Sequence, residues 1–187
     1  MIEFVSYRIR ENLRKYLPGE LEKMREFWRD YDIAELAREI ECETPRDDEG
    51  GCAYYICQPE SIAQYPAIVI MEGTQEYPES KKIDGVGFKD AIYNFEIRTY
   101  VRLHTEKREN VARSLMRLTQ SVVNTLMLHT RLKDVETGKD GICVQMSIGR
   151  IAYKPSLELK NSFLKGSTFP LSCRTLSSLT NKIYYPT

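Results

Sequence analysis

The residues best equipped for covalent or metal chemistry are five cysteines and two histidines in a chain of 187 residues. Cys42, Cys52, Cys57, Cys143 and Cys173 form an odd, irregularly spaced set. Disulfide scaffolds usually carry even numbers in short secreted chains, and structural zinc sites carry paired CxxC-type spacing. Cys52 and Cys57 are separated by four residues, with no second pair and no nearby histidine. Zinc needs a fuller ligand set than that, so the expectation is no metal, no cofactor and reduced, mostly buried thiols. A nucleophile and base could be drawn from Cys57 or Cys143 with His104 or His129. No nucleophile sits in a recognisable elbow or family signature, however; His129 reads as a packed or capping residue near the helix end, and His104 stands at the end of the strand just before the helix cap. Gly85-Val86-Gly87 lacks the GxGxxG pattern, the Walker-type lysine and the strand-to-helix context of a phosphate loop. The residue chemistry therefore predicts no enzyme.

Composition narrows the classes further. The 27 basic and 27 acidic residues cancel, so no global field draws the chain to nucleic acid or an anionic membrane. No apolar run approaches the roughly 20 residues that span a bilayer, and the charged amino-terminal stretch lacks a signal peptide's apolar core. A cytoplasmic fold is expected. With 42% hydrophobic residues, one main core is the economical reading.

The elements are organised around residues 90–132. Ala91, Tyr93, Phe95, Ile97, Thr99, Val101 and Leu103 alternate with polar residues as in a half-buried strand. Thr105 and Glu106 suit the start of a helix, and Val111, Leu115, Leu118, Val122 and Leu126 recur at helical spacing. Arg113, Arg117, Gln120, Asn124 and Arg131 fall on the opposite, solvated face.

Before this unit, Ile2, Val5, Ile9, Leu13 and Tyr16 predict a first helix ended by Pro18-Gly19, and Leu21, Met24, Trp28 and Tyr31 a second helical stretch. Asp32 and Glu35 form a capping-box pattern. Residues 41–51 read as an exposed acidic loop, 53–57 as a short β-prone segment, and 67–71 as the first strand of the main sheet. Residues 72–90 read as a long mobile arm joining two antiparallel strands. After the helix, residues 142–148 alternate as a strand, Gly149 suits a bulge, and 151–153 continue. Residues 154–166 read as irregular, and 169–173 as a last strand that Pro170 would place at an edge. The expected fold is α+β: a two-layer domain with a mainly antiparallel sheet of about four strands against two or more helices, in the order α-β-β-α-β-β. Residues 1–187 form a single domain in this reading, with an elaborated segment at about 18–61 and a flexible tail at about 176–187.

This order, with Tyr65-Pro66-Ala67-Ile68-Val69-Ile70 before a polar arm, Tyr93-Asn94-Phe95-Glu96-Ile97-Arg98-Thr99-Tyr100-Val101, a helix opening with Glu106 and Arg108, and Ile151-Ala152-Tyr153 before a closing strand, resembles the tail terminator and tail completion proteins of long-tailed bacteriophages. The resemblance covers roughly residues 1–17 and 62–175. It implies a non-enzymatic virion protein, assembled in the host cytoplasm. Such a protein forms a ring, typically a hexamer, on the head-proximal end of the tail tube, stops tube growth and joins the head-side connector. DNA would pass through without specific binding. The residues expected to make contacts are Tyr77, Lys81, Lys82 and Phe88 in the arm and Ile183, Tyr184 and Tyr185 at the carboxy terminus. The competing readings are another neck component, such as a head-completion or stopper protein, a ferredoxin-like domain binding a small molecule, and a Cys/His enzyme.

Overall fold

The computed structural model describes residues 2–30, 47–48, 51–77, 82–83, 86–104, 108–138 and 141–178. Helix α1 (Ile2–Asp30) is continuous through Pro18, which corrects the expected break at Pro18-Gly19. Proline in a helix interior costs about 3 kcal/mol by removing a hydrogen bond and crowding the preceding turn. Pro18 and Gly19 both face solvent, whereas the adjacent Leu17 and Leu21 are buried with Val5, Ile9 and Leu13. Burying each leucine contributes roughly 1.5–3 kcal/mol, so packing on both sides of the proline holds the helix together. The Asp32 and Glu35 capping pattern lies outside the described residues.

Ten strands occur among the described residues. They are β1 (Asp47–Asp48), β2 (Gly51–Cys52), β3 (Tyr54–Ile56), β4 (Ala67–Glu76), β5 (Lys82–Ile83), β6 (Val86–Leu103), β7 (Gln145–Ile148), β8 (Ala152–Tyr153), β9 (Leu157–Leu159) and β10 (Ser162–Ser178). The second described helix, α2 (Arg108–Leu128), lies between β6 and β7. The main sheet runs β3-β4-β6-β10-β7, with β8 and β9 following β7 along the same flank of β10. β3 is parallel to β4, and the remaining pairs are antiparallel. The fold is α+β, as the sequence periodicities indicate. β1 pairs with β2, so part of the expected 41–51 loop is strand.

Two expectations about β10 are corrected. It begins at Ser162, within the stretch read as irregular, and it is central: β6 pairs along one side and β7, β8 and β9 along the other. Pro170 is tolerated there because of where its missing N–H points. Its carbonyl accepts the Gly149 amide at 2.9 Å, and in an antiparallel strand the N–H and C=O of one residue face the same side. The absent donor therefore faces Gly149, in the gap between β7 and β8, and leaves the β6 ladder intact. The stretch read as irregular also contains β9, joined to β10 by Lys160 and Asn161, the latter at φ +64°. An asparagine at a left-handed position in a two-residue turn was the available signal.

One sheet face carries the helices. Ala91, Tyr93, Phe95, Ile97, Thr99 and Val101 of β6 are buried there with Phe169, Leu171 and Cys173 of β10, Ile68 and Ile70 of β4, and the expected α2 stripe. At its centre three buried hydroxyls meet: Thr99 and Thr119 at 2.9 Å, Thr99 and Ser167 at 2.7 Å, Thr119 and Ser167 at 2.8 Å. The α2 end and the following turn clasp α1. Asn12 donates to the Lys133 carbonyl at 3.1 Å, Arg8 pairs with Asp134, and the His129 ring stacks on Tyr16 at 3.7 Å between centroids. On the opposite face, Tyr100 lies across Gly166, and residues 57–66 fold back so that the Ala63 amide donates to the Tyr55 hydroxyl at 3.1 Å.

Candidate assembly surfaces

The arm is strand for much of its length, not loop. β4 continues to Glu76, β6 starts at Val86, and β5 turns back on β6 with Lys82 opposite Gly87. β10 follows β6 outward until Ser178 pairs with Phe88. Residues 176–178, read as the start of a flexible tail, belong to that strand, and residues 179–187 lie outside the described residues. The result is a ribbon that extends the sheet beyond its apolar core.

The ribbon is anchored at its root by polar contacts. Asn94 donates to Thr74 Oγ1 and to Glu76 Oε1, each at 3.0 Å, and its own Oδ1 accepts from Ser172 at 2.6 Å. One side chain thereby joins β4, β6 and β10. The Arg174 guanidinium grips Asp90 through Nε at 3.0 and 2.9 Å, a charge-assisted fork across β6 and β10. This contact holds the arginine's pKa above its ordinary value. Gln75 donates to the Tyr93 hydroxyl at 3.3 Å and also contacts Tyr77. Burial, followed by the neighbouring Tyr77, raises the Tyr93 pKa. A bulge between Glu72 and Gln75 brings Gly73 so close to the Asn94 carbonyl that an added Cβ would lie 2.8 Å from the oxygen.

Of the residues expected to make contacts, Tyr77 is 54% exposed just beyond β4. The backbones of Lys82 and Phe88 are in β5 and β6. Their side chains, and all of Lys81, Ile183, Tyr184 and Tyr185, lie outside the described residues. Sequence reading missed the far edge of the sheet, where Val144, Tyr153 and Leu157 are exposed at 54%, 43% and 57%. Each stands in or beside a segment that alternates or reads as irregular, and alternation alone does not say which strand is outermost.

Among the described residues, the contacts of His104 and His129 involve no cysteine. His104 Nδ1 meets the Asn161 carbonyl oxygen at 3.0 Å, and His129 is taken up by Tyr16, with burial lowering its pKa. Cys57 is exposed, contrary to the expectation of mostly buried thiols for this member of the set, while Cys143 and Cys173 are buried. Cys143 donates to the Gln145 carbonyl at 3.0 Å and contacts Cys173, whose thiol is held well above its ordinary pKa by that contact and by burial. Among the described residues, no three His, Cys, Asp or Glu side chains gather as a metal-binding group, and no helix is long and apolar enough to cross a membrane. What the arrangement offers is backbone pairing and exposed apolar side chains at sheet edges. Comparison with protein-family models and with curated proteins finds no match to this chain.

Proposed function

We propose that this chain is a structural subunit that assembles into a closed ring, in the manner of a phage tail terminator: a hexamer that caps the head-proximal end of a tail tube and offers a joining surface to the head-side connector. The observation that carries this reading is the β4–β6–β10 ribbon. It continues the sheet past its apolar core, is pinned at its root by Asn94 and the Asp90–Arg174 pair, and presents backbone groups that a neighbour can pair with. Contacts between unlike surfaces of identical subunits close into rings when the rotation allows. The balanced charge of the chain suits a passage that DNA crosses without being gripped.

The first experiment is light scattering across a range of protein and salt concentrations. A mass near six times 21.8 kDa, alone or on isolated tail tubes, is the expected result. A 21.8 kDa species that persists at all concentrations and ignores tube ends sinks the proposal. Removing residues 75–86 should leave a folded protein that no longer joins tails to heads. Normal joining by that variant removes the arm from the mechanism.

A further inference from the structure

The main sheet has two free edges among the described residues, and they differ. At one end, β7, β8 and β9 pair with β10 only. The Gly149 amide points inward to Pro170, so ladder alternation turns the amides of Met146 and Ile148 outward. Three of the protein's exposed large apolar side chains, Val144, Tyr153 and Leu157, lie along this flank. At the other end, β3 covers β4 only from Ile68 to Ile70, leaving residues 71–76 of β4 with β6 as their sole partner strand. An unpaired edge is a template for another chain.

The two edges are also opposite in charge. Residues 144–161 contain Arg150, Lys154 and Lys160 against Glu158 alone, while residues 71–77 contain Glu72 and Glu76 and no basic residue. Arg150, Lys160 and Glu76 are exposed.

We infer that the occupant of the β7–β8–β9 edge is a second copy of this chain, docked through the distal half of its β4, so that the sheet continues from subunit to subunit. The inference rests on the ring reading and names its contact. Because the two edges terminate opposite ends of one sheet and carry opposite charge, the pairing is head to tail. An edge that met its own copy would bring like charges together. Head-to-tail contact generates rings or filaments and not two-fold dimers.

A charge exchange tests the contact in the full-length protein. Arg150→Glu and Glu76→Lys each place like charges across the proposed junction and should weaken self-association about tenfold. The double variant restores opposite charges and should recover most of that loss. Glu76→Gln, which keeps an acceptor for Asn94, should weaken self-association less than Glu76→Lys and separates charge from the loss of that bond. Lys160→Glu with Glu76→Lys provides a second pair, and circular dichroism verifies that each variant is folded. Oligomers of undiminished strength in both single variants overturn the edge pairing while leaving the ring reading in place. Weakening by both single variants without recovery in either double variant also overturns it. A wild-type protein that stays at 21.8 kDa overturns both.

Discussion

Gly149 and Pro170 meet where the outer flank of the sheet breaks: the glycine amide reaches the proline carbonyl at 2.9 Å, and a β-carbon on Gly149 would stand 2.5 Å from the proline Cγ. No side chain fits between them without movement. Gly149→Ala should destabilise the protein by about 1–3 kcal/mol through overpacking. In the Pro170→Ala background, where the obstructing atom is gone, the same change should cost clearly less. Urea midpoints for the four proteins give the comparison, and an equal cost in both backgrounds would show that the contact is not the cause.

The three core hydroxyls make an asymmetric prediction from proton bookkeeping. Thr119 donates to the Leu115 carbonyl at 2.8 Å, which leaves the protons of Thr99 and Ser167 for the contacts within the triangle. In Thr99→Val, Ser167 donates to Thr119 and every proton still has an acceptor. In Thr119→Val, Thr99 and Ser167 face each other alone, and one of their protons is stranded in the core. Thr119→Val should therefore cost about 1–3 kcal/mol, the penalty for a buried unsatisfied donor, and Thr99→Val distinctly less. Equal losses in denaturant titrations would refute this assignment of donors.

Asp134 sets an acid dependence. The Thr137 amide, then Arg8, and also the Glu136 amide stabilise its charged form and hold the carboxyl far below the ordinary aspartate range. A folded-state pKa below the unfolded one contributes stability that is present above the unfolded value and is lost as pH falls through and below it. The Tm of Asp134→Asn should lie below wild type at pH 7, and the gap should narrow below about pH 4, near the unfolded aspartate pKa. A gap independent of pH would mean that the turn depends on shape and not on charge.

His129 gives a second window with a different origin. Burial against Tyr16 disfavours its protonated form, so the unfolded chain binds the proton more readily. Stability is complete above the unfolded histidine pKa of about 6.5 and declines as pH falls below it. Replacing His129 by Phe, which keeps a ring for stacking, should flatten the Tm profile between about pH 7 and pH 5. Retention of the full slope would move the titration to another group.

The thiols separate by exposure. Cys57 is open to solvent, whereas Cys143 and Cys173 are enclosed and in contact. A chromogenic disulfide reagent should label Cys57 quickly and leave at least Cys143 and Cys173 untouched until denaturant is added. Rapid, selective labelling of Cys143 in the native protein would instead favour thiol chemistry and revive the enzyme reading.

The parts of the fold legible in the sequence are those in which one face is buried along an element's length. Ala91–Val101 and Val111–Leu126 were readable because water is excluded from one side of each, and their alternation and helical spacing record it. The arm was not readable as strand. Beyond the helices, Gly73–Glu76 are all exposed, so the backbone pairs without any apolar period. Pro18 and Pro170 misled for a shared reason: a proline's cost depends on where its absent donor and its ring point, and that is a tertiary fact. Of the candidate surface, the position of the arm and of Tyr77 followed from sequence, but the exposed flank at Val144, Tyr153 and Leu157 depended on strand order.

The pairing of β6 with β10 also has a consequence in time. Leu103 finds its partner Phe163 sixty residues later, and Phe88 finds Ser178 ninety residues later. Contacts that close loops of this size form slowly, because chain entropy is lost before they are made. β10 follows every other described element, so a growing chain holds the long flank of β6 open until those elements have all emerged. A chain that ends early lacks the strand on which β7, β8 and β9 depend and has no outer edge to offer. The outer flank is thereby the part of the described sheet whose partner strand is made last, and under the proposed ring reading a chain cut short of it would lack the edge that meets a neighbour.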